Sequence, residues 1–223
     1  WLSEFVLLNL GKTNEAIDLY NQSLKIRLKI FGEKNLATAI SYGDLGVAHV
    51  RMGKYAQAMS YYNKALEIKI NLQGEEHVEV ARLLGNIANC FTYLGQYDKA
   101  QISYHKCIKI IHSNLGPDHP DLGSIYYNLG TCYTYTQEYN KSIDFIQKAL
   151  DVLIPKIGTK HPYIALAYDN IGLNLNESGE LDQALAMYEK AMYVRISILG
   201  AEHPDVAHSL YNIGTIYLKK KNF

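Results

Sequence analysis

"GPDHPDL", residues 116–122, returns as "GEEHVEV" at 74–80, "GTKHPYI" at 158–164 and "GAEHPDV" at 200–206, with a weaker copy, "GEKNLAT", at 32–38. Taken alone, the stretch poses a question: His119 reads either as a ligand or base held in a loop, or as part of a joint. The 42-residue spacing of the copies answers it. A catalytic or metal-binding histidine is not normally repeated once per structural unit, each copy without partners. His77, His119, His161 and His203, with Asn35 in the same phase, therefore read as joints between helices. Gly116 ends one helix as its C′ residue. Pro120 opens the next, where a missing N–H costs nothing, and Asp121 suits the positive end of that helix's dipole.

The segments between joints repeat in the same register. "GKYAQAMSYYNKAL", "GQYDKAQISYHKCI", "QEYNKSIDFIQKAL" and "GELDQALAMYEKAM" superpose, and "GKTNEAIDLYNQSL" is an earlier, weaker copy. A fixed period of this size marks supersecondary units that bury their apolar faces only by stacking. Each unit divides into two helices. In the first, Leu122, Tyr126, Leu129 and Tyr133 fall at i, i+4, i+7 and i+11, one face of a helix; in the second, Tyr55, Ala58, Tyr62, Ala65 and Leu66 do the same. First helices are expected at about 36–52, 78–94, 120–136, 162–178 and 204–220, and second helices at about 13–31, 55–73, 97–115, 139–157 and 181–199. Gly53, Gly95 and Gly179 sit between the two, where a left-handed residue ends a helix cheaply. Pro155 is expected to kink or shorten its helix.

The fold class this implies is all-α: a right-handed solenoid of antiparallel helix pairs in one array over 1–223. Its repeats run 1–32 (partial), 33–74, 75–116, 117–158, 159–200 and 201–223 (first helix only). Residues 1–10 read as the damaged end of one more first helix. The chain starts without Met and stops at "KKKNF", which reads as a segment of a longer protein.

Composition excludes several classes. With 22 Lys+Arg against 22 Asp+Glu, no clustered positive charge suits a phosphate backbone, so no nucleic-acid partner is expected. No apolar run approaches a membrane span, and the opening residues lack a basic region and a cleavage site, so no membrane partner is expected either. Cys90, Cys107 and Cys132 are odd in number and lack metal-site spacing. They read as reduced, buried thiols of a cytoplasmic protein. "GKT" at 11–13 lacks the earlier glycine of a phosphate loop, since position 6 is Val6. No enzymatic motif, metal site or cofactor is indicated. Of nineteen tyrosines, twelve occupy core phases, Tyr62, Tyr104, Tyr188 and Tyr217 among them, whereas Tyr93, Tyr127, Tyr135 and Tyr211 fall on the open side of a first helix.

The repeated residues resemble the tetratricopeptide repeat in its 42-residue kinesin-light-chain variety. The bulky first-helix position is Tyr42, Leu84, Tyr126, Tyr168 and Leu210. The Leu-Gly pair follows as Leu45-Gly46, Ile87-Ala88, Leu129-Gly130, Ile171-Gly172 and Ile213-Gly214. The second-helix series is Ala58-Tyr62-Ala65, Ala100-Tyr104-Cys107, Ser142-Ile146-Ala149 and Ala184-Tyr188-Ala191. The resemblance implies a superhelix whose concave surface is lined by first helices, and a protein or peptide partner bound there.

On that surface one phase stands out. The residue before the Leu-Gly pair is Asp44, then Asn86, Asn128, Asn170 and Asn212. Asn is a mediocre helix residue, so four in one phase need a reason. An amide both donates and accepts, as does each peptide unit of an extended chain. With first helices about 10 Å apart and an extended chain rising about 3.3 Å per residue, four rungs would hold about nine residues. Peptide-binding members of the family use Asn here in this way, which the resemblance carries over. Neighbouring Arg82, Asn89, Ser124, Tyr127, Thr131, His208, Tyr211 and Thr215 would tune specificity. The competing reading is that the amides bond to the adjacent repeat and hold the stack together. A further alternative is a structural or sensor array in a larger signalling protein, its groove filled intramolecularly.

Overall fold

The computed structural model of the protein describes residues 12–221. Among them are ten helices and no strand: α1 (Thr13–Phe31), α2 (Leu36–Arg51), α3 (Tyr55–Gln73), α4 (Val78–Tyr93), α5 (Tyr97–Leu115), α6 (Pro120–Tyr135), α7 (Tyr139–Ile157), α8 (Pro162–Glu177), α9 (Leu181–Leu199) and α10 (Pro204–Lys221). The first helices of the repeats are α2, α4, α6, α8 and α10; the second helices are α1, α3, α5, α7 and α9. The helix expected in residues 1–10 lies outside the described residues.

The joints are built as helix caps. At His77, His119, His161 and His203 the imidazole Nδ1 accepts the backbone N–H two residues on, at 3.1, 3.2, 3.1 and 3.2 Å. Asn35 does the same through Oδ1 at 2.8 Å. Each side chain thereby satisfies a donor that the first turn leaves unpaired, which is why His and Asn exchange in this phase. The second helices close on Gly32, Gly74, Gly158 and Gly200, whose φ of 74–89° with ψ near ±170° is open to glycine alone. Between first and second helix, Gly53, Gly95 and Gly179 have φ of 70°, 72° and 87°, and Gln137 holds the same place at 60°. Pro155 does not shorten α7, which has 19 residues like the other second helices. It stands in the last turn, where only one backbone bond is forfeited.

The chain forms two compact units, Trp1–Asn114 and Leu115–Phe223. In the first, Ala39, Tyr42, Ala58, Tyr62, Ala65, Leu83, Ile87 and Cys90 form one core cluster. In the second, Ile146, Leu150, Ile164, Ala167, Ile171, Leu175, Ala184, Tyr188, Ile213 and Ile216 form another. Small residues let the paired helices close in. A Cβ on Gly46 would sit 2.4 Å from the Tyr62 ring, and one on Gly172 would sit 2.9 Å from the Tyr188 ring. Tyr217, expected in the core, is 56% exposed, because no described helix covers that face of α10. All three cysteines are buried thiols outside any disulfide, and burial raises the Cys90 thiol to about 11, leaving it protonated and inert.

Candidate functional site

The phase that carries the asparagine series faces neither the core nor open water: Asn86, Asn128, Asn170 and Asn212 are all half-buried. In the first unit, Asn86 lies on α4 with Arg82 and Asn89. The amide of Asn86 makes no hydrogen bond among the described residues. Asn89 accepts the phenol of the buried Tyr104 at 2.6 Å, which ties α4 to α5. Exposed Arg82 pairs with Glu79 at 2.5 Å.

The second unit brings more of the candidates together. Asn170 Nδ2 on α8 donates to the Tyr127 hydroxyl on α6 at 2.6 Å, joining consecutive first helices. Tyr127, expected on the open side, is instead half-buried in that seam, its ring 4.8 Å from Tyr163. Burial, the dominant cause, holds the Tyr127 phenol above its ordinary range, so it stays a hydroxyl at neutral pH. Three candidates spend their hydroxyls on their own helices: Thr131 on the Tyr127 carbonyl at 3.0 Å, Ser124 on that of Asp121 at 3.0 Å, and Thr215 on that of Asn212 at 2.6 Å. His208 and Tyr211 on α10 are exposed, Tyr211 at 72%.

Between α8 and α10 lies a pocket of about 450 Å³ lined by Leu166, Asp169, Asn170, Leu173, Tyr188, Arg195, Asp205, His208 and Asn212. Two rungs of the series thus share one concavity, with α9 as its floor. The Asn212 amide has no hydrogen-bond partner among the described residues. Tyr188 is almost wholly buried, and burial with the nearby Asp169 and Glu177 charges pushes its phenol up to about 12.

The floor holds a residue that sequence reasoning missed. Arg195, 7% exposed, donates to Ser209 Oγ at 2.7 Å and to the Asp169 carboxylate. In the same 42-residue phase, Arg27 donates to Ser41 Oγ at 2.7 Å, and Lys69, 8% exposed, pairs with Glu79 at 2.7 Å. Ile111 and Leu153 occupy the phase in between. Lining up second helices alone shows that basic and apolar residues share this phase, but not the partners that make the basic ones tolerable. Asn174 also went unremarked: fully buried where the other repeats have Ala48, Cys90, Cys132 and Ile216, it donates to the Asn170 carbonyl at 2.6 Å.

Among the described residues no group of three or more His, Cys, Asp or Glu could hold a metal ion, and no helix is long and apolar enough to cross a membrane.

Comparison with known proteins agrees with this architecture. The family model described as tetratricopeptide repeat matches residues 5–71, 79–154 and 163–223. No curated protein sequence matched. Among solved structures, BtubC (BKLC) from P. vanneervenii superposes with a TM-score of 0.78 at 19% identity, over 95% of this chain and 85% of that one. A putative kinesin light chain with nearly identical repeats from Podosopora anserina gives 0.73 at 15% identity, over 87% and 92%. YrrB, described as having an unusual peptide-binding site, gives 0.59 at 19%, over 90% and 84%. At these identities the likeness is one of fold.

Proposed function

Because the chain belongs to the tetratricopeptide repeat family, whose repeats mediate protein–protein interaction, we propose that it binds an extended peptide or partner tail along its first helices, without catalysing a reaction. The observation that carries this reading is the shared pocket of Asn170 and Asn212, together with the absence of any hydrogen bond from the Asn86 and Asn212 amides among the described residues. A half-buried amide with no protein partner keeps its donor and acceptor available to a ligand, and a peptide backbone offers the matching acceptor and donor. Asn128, Asn170 and Asn212 in the second unit span two helix spacings of about 10 Å, enough for about six residues of extended chain. Asn86 offers the same capture in the first unit. The peptide-binding site named for YrrB, a protein of the same fold, is in keeping with this.

Asn170 behaves differently from Asn86 and Asn212. Its Nδ2 already serves Tyr127, so it combines capture with holding α6 to α8, and the structural reading of the series applies to it. The test is a library of random extended peptides screened against the full chain, with lead binders measured on variants. Asn86→Ala and Asn212→Ala are expected to weaken binding about fivefold to tenfold each, the worth of one or two hydrogen bonds, with no change in thermal midpoint. Asn170→Ala is expected to lower the midpoint as well. If Asn86→Ala and Asn212→Ala lower the midpoint and leave affinity untouched, the amides are purely structural and the groove reading fails.

A further inference from the structure

The pocket between α8 and α10 carries more information than its two amides. Its apolar groups are Leu166 and Leu173, both on the α8 wall and 47% and 39% exposed. Its charged groups are Asp169, Asp205 and Arg195. The guanidinium of Arg195 is committed to one oxygen of Asp169 and to Ser209. The other oxygen, Asp169 Oδ1, is buried and has no hydrogen-bond partner. The Asp205 side chain is 62% exposed, and among the described residues its ion-pair contact within 4 Å is the His203 Nδ1 at 3.9 Å. That nitrogen accepts the backbone N–H of Asp205 at 3.2 Å, so in this arrangement it carries no proton and supplies no positive charge. With histidines neutral, the pocket holds two carboxylates against one guanidinium, a net charge of −1. An exposed carboxylate, a buried unsatisfied acceptor and two leucines along one wall match a long, flexible stem with a cationic head.

We propose that this pocket receives the side chain of a lysine or arginine from the bound segment. The methylenes lie along Leu166 and Leu173. The head group donates to the Asp205 carboxylate and, as the pocket adjusts around it, to Asp169 Oδ1. The assignment rests on the groove reading and gives the peptide a chemical class: a segment with a basic residue in register with α8 and α10. An acidic or uncharged segment would leave both carboxylates uncompensated.

The experiment uses the peptides selected on the full chain, with each Lys or Arg replaced in turn by norleucine and by Glu. One position is expected to lose about tenfold in affinity with norleucine and more with Glu, while the others change little. Asp205→Asn, on an exposed side chain, is expected to abolish the difference between Lys and norleucine at that position only. Asp205→Lys is expected to reverse it, so that the Glu peptide binds better than the Lys peptide. Should either variant fold poorly, the norleucine scan on the unaltered protein still decides. A binder that weakens on Asn212→Ala yet is indifferent to norleucine everywhere overturns the pocket assignment and leaves the groove reading standing. A preference for Lys that survives Asp205→Asn also overturns it. Peptides whose binding ignores the asparagines, or a screen without binders, overturn both.

Discussion

His49 on α2 occupies the phase that Phe91, Tyr133 and Leu175 fill in the next three repeats. Its ring stacks on Tyr61 at 5.1 Å between centroids, and its Nδ1 is buried without a hydrogen-bond partner. Burial, followed by the Lys54 charge, holds its pKa below the ordinary 6.5. The folded state thus favours the neutral ring, whereas the unfolded chain takes up a proton near the ordinary value. The resulting stabilisation is fully present above 6.5 and is lost as pH falls below it. Glu79, drawn below 4.5 chiefly by the Lys69 hydrogen bond against the opposing effect of burial, has the same sign at lower pH. His49→Phe keeps the stacked ring and removes the proton site. The gap in thermal midpoint between His49→Phe and the parent is expected to be constant above about pH 6.5 and to move in favour of Phe as pH drops toward 5. A gap that stays constant throughout would mean that His49 does not titrate with folding. The four cap histidines have a different chemistry, since they lose their acceptor on protonation at Nδ1, so the comparison needs the variant rather than the parent alone.

At the scale of the helix pair, close approach is controlled by the glycine of the Leu-Gly pair at Gly46, Gly130 and Gly172. A Cβ on Gly130 would meet Ile146 Cγ1 at 2.6 Å and the Ser142 carbonyl oxygen at 3.0 Å; one on Gly214 would meet nothing within 4 Å. Gly130→Ala is therefore expected to destabilise by about 1–3 kcal/mol through overpacking. Gly214→Ala is expected to stabilise α10 by up to about 1 kcal/mol through helix propensity. Chemical denaturation of the two variants checks both signs. The same pair shows how far the sequence could be read. Period, Leu-Gly spacing and glycine joints placed the described helices to within a residue or two, because those signals are local and repeat in phase. What failed depended on a neighbour. Gly214, Leu210 and Tyr217 carry the core pattern, yet Leu210 and Tyr217 are 55% and 56% exposed, since no described helix lies against them. The asparagine phase was legible as a series, but which amides are committed was not. Asn170 and Tyr127 are 43 residues apart, and Tyr127 looked like an open-face residue until α8 was beside it. Arg195 is not legible in the sequence because its phase also holds Ile111 and Leu153, and its partners Asp169 and Ser209 come from two different helices.

Charge over the whole molecule sets how binding should respond to salt. Lys+Arg and Asp+Glu balance at 22 each, and many are spent on one another. Lys106 pairs with Glu75 at 3.0 Å, Lys141 with Glu138 at 2.5 Å, Lys69 with Glu79 at 2.7 Å, and Lys220 with Asp182. The exposed pairs among these add little stability, and none of the four leaves a long-range field. Capture through amides is itself nearly insensitive to ionic strength, because neither partner carries net charge. A local departure within the groove is the pocket of Asp169, Asp205 and Arg195, with a single uncompensated negative charge. A lead peptide holding one basic residue there is expected to lose no more than about threefold in affinity between 50 and 500 mM salt, as screening removes a single interaction that is in any case partly buried. A surface built to neutralise phosphates would lose about a thousandfold or more over a narrower range. Titration by fluorescence anisotropy across that series gives the slope directly. A slope of about 0.5 or less in log affinity against log salt, which is what a threefold loss over this range amounts to, fits amide capture with one basic anchor, and Asp205→Asn should flatten it. A slope of several charges would mean that the partner is recognised by its net charge, and the neutral asparagine phase would then not be what holds it.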